Sequence, residues 1–171
     1  MLALQMILCM ETNKSAATDY IYIRDTINRF YICDNKIKIT PIFMNSKSRY
    51  RSKNVILQIK RLIKDFTIGE TKVIYCIDTD SYEVDMNHAK EMEELERYCD
   101  TNGYDLVWFC HDVEEVYIGK RISDKQKVAE ATIFRRMNKM QTVPEEKLSN
   151  GCKRKGVSNI LLVLDKYLCR K

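Results

Sequence analysis

A chain of 171 residues with 45% apolar side chains, two prolines and five glycines can fill one packed core and is a poor fit to disorder or low complexity. The net charge of +5 is modest, and no apolar run reaches the roughly 18 residues that a membrane span needs. Seven scattered cysteines, at 9, 33, 76, 99, 110, 152 and 169, include no Cys-x-x-Cys pair; they argue against a zinc centre and fit a reduced, cytoplasmic protein.

The elements alternate along the chain. Residues 4–10 read as a buried strand closed by Glu11. They lack the basic leader of a signal peptide. Residues 16–32 predict a helix with Ile21, Ile23, Ile27 and Phe30 on its inner face, and residues 37–43 a second strand. In 53–66, Val55, Ile56, Ile59, Leu62, Ile63 and Phe66 recur at helical spacing, and Gly69 is expected to stop that helix in the left-handed conformation. A strand over 72–77, a helix over 86–101 stopped at Asn102-Gly103, and a strand over 104–110 follow. This order predicts an α/β fold with a parallel four-stranded sheet covered by helices on both faces. From about residue 112 the pattern turns helical. Ser123 or Asp124 is expected to cap a helix running to about Met140. Pro144 and Ser149-Asn150-Gly151 mark a linker, and Ser158 opens a last amphipathic helix carrying Ile160, Leu161, Val163, Leu164 and Leu168. The expected division is a catalytic domain at 1–118 and a helical extension packed on it at 119–171.

Charge is uneven. Residues 45–64 hold seven basic and no acidic side chains, residues 147–171 hold seven basic ones against Asp165, and residues 85–100 hold six acids and two bases. The acidic run reads as a solvated helix face; the basic runs could meet nucleic-acid phosphates. Glu11 follows the first strand, and Asp78 and Asp80 follow the third. Carboxylates just past parallel strands lie on the rim where open α/β sheets take ligands. Converging on one rim they repel unless they share a cation, for which a hard divalent ion such as magnesium is suited.

A glutamate after strand one (Met10-Glu11-Thr12-Asn13-Lys14) and Asp78-Thr79-Asp80 after strand three resemble the Toprim domain of topoisomerases, bacterial primases and OLD-family nucleases. The resemblance spans about residues 4–118 of the βα alternation. It is nearest to the small RloB/AbiLii-type Toprim proteins of phage-defence loci, which also carry a Ser/Lys-rich loop, here residues 45–53, and an acidic motif after strand four, here Asp112-Val113-Glu114-Glu115-Val116-Tyr117-Ile118. Two positions depart from the pattern: Thr12-Asn13 replaces a glycine-containing turn, and Cys110-His111-Asp112 replaces an Asn-Pro-Cys lead.

The resemblance implies a Toprim-like Rossmannoid fold and a nuclease using Mg2+ or Mn2+ on DNA or RNA, tRNA included, as a defence effector. Asp78 and Asp80 would ligate metal, Glu11 would ligate metal or transfer a proton, and Glu114 would complete the set, with Asp112 and Glu115 as competitors. Lys14, Lys47, Arg49, Arg51 and Lys53 would hold nucleic acid. His111 could donate a proton near the metal or simply hydrogen-bond. An ABC/OLD-type ATPase is the implied protein partner, and the alternative function is a subunit of such a complex, inactive alone. No membrane contact is expected, and a homo-oligomer is left open. The ordinary readings stand beside these: Glu11 and Lys14 as helix caps, Asp78 and Asp80 as turn formers, Glu114 and Glu115 as a solvated helix start, and the basic loop as mobile surface. A receiver-like or phosphohydrolase domain would also place an aspartate after its third strand, but Glu11 stands alone where a receiver needs an acidic pair.

Overall fold

The computed structural model describes residues 3–171. Its centre is three parallel strands of alternating and continuous apolar residues, β1 (Ala3–Met10), β2 (Ile37–Phe43) and β3 (Gly69–Asp78), joined by β4 (Asp105–Cys110). A fifth strand, β5 (Val157–Ser158), pairs antiparallel with β4, and the sheet order is β2-β1-β3-β4-β5. The expected fully parallel four-stranded sheet is therefore corrected to a five-stranded, mostly parallel one. The extra strand comes from the tail, where Ser158, the expected helix start, pairs with Phe109 instead.

The connections place one helix set on each face. From β1 the chain runs through α1 (Thr18–Phe30) to β2 on one side, and from β2 through α2 (Lys53–Asp65) back past β1 to β3. The two crossovers run in opposite directions, and right-handed crossovers of opposite direction lie on opposite faces. The core divides accordingly. Met6, Leu8 and Met10 of β1 pack with Tyr22, Ile23 and Ile27 of α1, while Ile7 and Cys9 pack with Val55 and Ile59 of α2. The helix α3 (Met86–Asn102) joins the second face through Met92, Leu95 and Cys99. The helices α4 (Val113–Ile118), α5 (Asp124–Arg136), α6 (Glu145–Leu148) and α7 (Ile160–Leu164) close the first face, contributing Val116, Phe134, Leu148 and Leu161 to the same cluster as β1.

Two glycines distinguish two physical demands. Gly103 ends α3 at φ 66°, as its Asn-Gly signature predicts. Gly69 does not stop α2, which ends at Asp65; it begins β3. A Cβ there would lie 1.8 Å from the Ala3 carbonyl oxygen, so Gly69 is needed for close strand approach, not for a left-handed turn. The tail also differs from the expected two long helices. Asn138 at φ 50° breaks the helical run after Arg136, and a 3-10 turn over Lys139–Thr142 follows. No helix of the described residues is long and apolar enough to cross a membrane.

Candidate metal and phosphate site

The strand order reverses between β1 and β3, and such a switch point opens a crevice at the carboxyl ends of the two strands. Glu11 and Asp78 sit there. The β1–β3 ladder ends at Met10 opposite Cys76, and beyond it the Glu11 side chain takes over: its Oε1 accepts the Asp78 N–H at 2.8 Å. Asp78 Oδ1 in turn accepts the Val113 N–H at 3.0 Å, tying β3 to the start of α4. One oxygen of each carboxylate is thereby fixed by a backbone donor, which sets the plane of the other.

A cleft of about 360 Å³ lies above them, lined by Glu11, Thr12, Asp19, Lys47, Asp78, Asp80, Glu91 and Lys127 together with the loop residues Asn45, Ser46 and Ser48. Asp80 adopts φ 52°, a conformation that aspartate tolerates better than most residues, and its Oδ2 meets Lys47 Nζ at 2.5 Å. The same ammonium donates to the Asp78 carbonyl at 3.0 Å and lies 3.7 Å from Glu91. Lys47 is thus buried against the acids, whereas Lys14, Arg49, Arg51 and Lys53 are exposed. Arg51 rests 3.7 Å from Glu94 and over the Tyr50 ring.

Of the three competitors in the acidic motif, Glu114 is the one drawn toward this centre. It is fully buried, with Lys127 Nζ 3.3 Å from its Oε2. Lys127 is the cation that Oε2 meets, while Glu114 Oε1 and the Thr12 hydroxyl are buried without a hydrogen-bond partner. Asp112 instead caps α4 by accepting the Glu115 N–H at 2.7 Å and faces Arg121. Glu115 is paired with His111 and Lys155. His111 is not among the lining residues; it bridges Glu83 and Glu115.

The electrostatics record crowding. Burial, reinforced by Asp19 and opposed by Lys47, pushes Glu11 up to about 8. Burial and the nearby Glu114 push Asp19 up to about 7. Asp78 is held well above the usual carboxylate range by burial and then by Glu11, and burial also raises Glu114. Burial is the largest single influence on Lys47 and Lys127 and disfavours their charges, yet the neighbouring acids together (Glu11, Asp80 and Glu91 around Lys47; Glu114, Asp78 and Asp112 around Lys127) outweigh it and hold both above their ordinary values. Five carboxylates line the cleft (Glu11, Asp19, Asp78, Asp80 and Glu91) and Glu114 lies buried outside its lining; these six acids share two ammonium groups, and the deficit of positive charge is met by protons or by a cation.

Three contributors escaped the sequence reading. Asp19 was hidden in the first turn of a predicted helix, Glu91 in an acidic run read as solvated, and Lys127 in a distant helix with no local signal. The chain matches no protein-family model, no curated protein and no solved structure.

Proposed function

We propose that the chain is a metal-dependent nuclease that cleaves a phosphodiester bond with Mg2+ or Mn2+ drawn to the charge of Glu11, Asp78 and Asp80, whose oxygens do not all lie within 4.8 Å of one another in the metal-free chain and would close on the ion. The observation that carries this reading is the buried carboxylate group at the switch-point crevice, with positive charge in deficit and orphaned oxygen atoms beside it. The donor set is all oxygen, which suits hard cations. Glu114 and Asp19 add negative charge from behind or beside the ligands.

A bound divalent ion would supply positive charge to the phosphate oxygens as the bond breaks. The protein's own groups perform the rest. The backbone donors of Asp78 and Val113 fix two carboxylates, Lys47 holds Asp80 in place, and the exposed Arg49, Arg51 and Lys53 at the end of the cleft-lining loop offer charge to a polyanionic backbone. A protein of this kind acting in phage defence, with a larger ATPase restraining it, is the extended form of the same proposal.

The test uses Asp80→Asn, since asparagine also tolerates the left-handed backbone at this position. Wild type and variant are incubated with plasmid, single-stranded DNA and total tRNA, with manganese or with chelator. The expected result is manganese-dependent cleavage of one substrate class, reduced by roughly 10²-fold or more in the variant. Cleavage that persists in excess chelator, or at full rate in Asp80→Asn, would overturn the nuclease reading. No cleavage of any substrate would overturn activity of the isolated chain and leave the partner-dependent form to be tested by co-purification.

A further inference from the structure

A second cluster of ligating atoms lies on the same rim and has a different chemistry. Glu83, from the loop after β3, meets Cys110 and His111 at the end of β4, and one ligand atom of each lies within 4.8 Å of the others; among the described residues this is the one such group of three. The spacing is informative. His111 Nε2 lies 3.0 Å from both Glu83 oxygens, and Cys110 Sγ lies 3.9 Å from Glu83 Oε1. Tetrahedral zinc, with its ordinary bonds to sulfur, nitrogen and oxygen, separates nitrogen from oxygen by about 3.4 Å and sulfur from oxygen by about 3.6 Å. Each observed separation is within a few tenths of an ångström of these values.

A further observation is independent of the spacing. The other ring nitrogen of His111, Nδ1, lies 3.2 Å from Glu115 Oε2, and Glu115 is itself buried and held by Lys155 at 3.2 Å. Metal-bound histidines almost always give their second ring nitrogen to such an acceptor, which fixes the tautomer and leaves the first nitrogen free for the ion. The Cys110 thiol is fully buried yet faces Glu83.

We propose that Glu83, Cys110 and His111 form a binding site for a borderline divalent transition metal of the zinc class, with Glu115 orienting the histidine. Three protein ligands leave the fourth tetrahedral position to water. On binding, the Cys110 S–H proton is released to solvent and the thiolate bonds the metal; no electron is transferred. The Asp80 N–H donates to the His111 carbonyl at 2.9 Å, so a metal here joins the loop that carries both Asp80 and Glu83 to the β4–α4 junction. The site is chemically separate from the oxygen-only crevice and stands whether or not that crevice cleaves phosphodiesters.

Cobalt is the probe, because a thiolate-to-cobalt charge-transfer band reports sulfur ligation and the crevice carboxylates cannot produce one. The metal-free 171-residue chain is titrated with Co2+, then with Zn2+ in competition, alongside Glu83→Gln, His111→Asn and Cys110→Ser. The expected result is one equivalent of tetrahedral, thiolate-ligated cobalt displaced by zinc. Affinity should fall by at least about tenfold in Glu83→Gln and His111→Asn, and the charge-transfer band should vanish in Cys110→Ser. Glu83 is an exposed side chain, so its variant reports even where the buried Cys110 substitution perturbs folding. A titration without the thiolate band overturns the proposal. So does a band of unchanged affinity in Glu83→Gln and His111→Asn, which would assign the sulfur to the exposed Cys33, Cys152 or Cys169.

Discussion

The raised carboxylates make a quantitative claim about Glu11→Gln in the absence of metal. Glutamine keeps an acceptor for the Asp78 N–H but removes the charge. Burial first, and neighbouring acids second, raise Glu11 from an ordinary 4.5 to about 8. The folded protein therefore binds a proton at Glu11 that the unfolded chain has already released between these two values. Its contribution to stability is full below about pH 4.5, declines as pH rises and is gone above about pH 8. At about 1.4 kcal/mol per pH unit this sets a ceiling of about 5 kcal/mol on the penalty of the ionised form. Glutamine also deprives Lys47 of part of its attraction, so the net gain is expected near 2 kcal/mol at pH 9, falling to almost nothing at pH 5. For a chain of this size that corresponds to about 4–8 °C in Tm. Urea and thermal unfolding in chelator at pH 5, 7 and 9 measure it. Manganese should then stabilise wild type at pH 8 and fail to stabilise the variant to the same degree. Equal or lower stability of Glu11→Gln at pH 9 would refute the electrostatic argument, because glutamine would then be removing a favourable charge.

The other predictions concern the partners of the site and the strand that carries it. Lys127→Met leaves the fully buried Glu114 beside Asp19 without its cation; stability should fall by about 2–4 kcal/mol at pH 8 and by progressively less as the pH is lowered, because burial raises both carboxyls and a protonated one needs no partner, as read from urea midpoints. Gly69→Ala forces a Cβ into the Ala3 carbonyl and should cost about 3 kcal/mol, with the urea midpoint lowered and no dependence on pH. A fully stable Gly69→Ala would show that β1 and β3 can separate at their amino ends without consequence.

What the sequence revealed follows the range of each interaction. The strands β1, β2 and β4 and the helices α2 and α3 were legible because their apolar residues recur at the period of the element, and a short window contains that signal. Glu11 and Asp78 were legible for a related reason: each lies directly past a buried strand, so topology alone brings them to one rim. Gly69 was misread because a glycine between a helix and a strand satisfies the local signature of a helix stop, while its actual demand, close approach to Ala3, comes from residues far away in sequence. β5 escaped notice because two residues carry no periodicity; its pairing arises from the free edge of β4 and the contact of the Gly156 N–H with the Cys110 carbonyl at 2.5 Å. Lys127 meets Glu114 only after α5 folds over the sheet. The proximity of Glu83 to Cys110 and His111 was not legible either, because it joins residues 27 and 28 apart and ligand spacing along the chain carries no trace of it.

The acids at the rim are also part of the scaffold, and this constrains how the site can have been assembled. Glu11 continues a β-ladder with its side chain after the backbone of β1 has turned away, and Asp78 receives the first N–H of α4. An alanine at either position would leave a backbone donor without its acceptor, which by itself costs about 1–3 kcal/mol where the donor is buried. Charge and hydrogen bonding therefore act in opposite directions on the same atoms: the hydrogen bonds favour an oxygen at each position, and the metal-free electrostatics disfavour its ionisation. Amides satisfy the first requirement and relieve the second. Glutamine in place of Glu11 or asparagine in place of Asp78 would therefore favour the metal-free chain, whereas the proposed divalent ion would require the negative charge of the carboxylates.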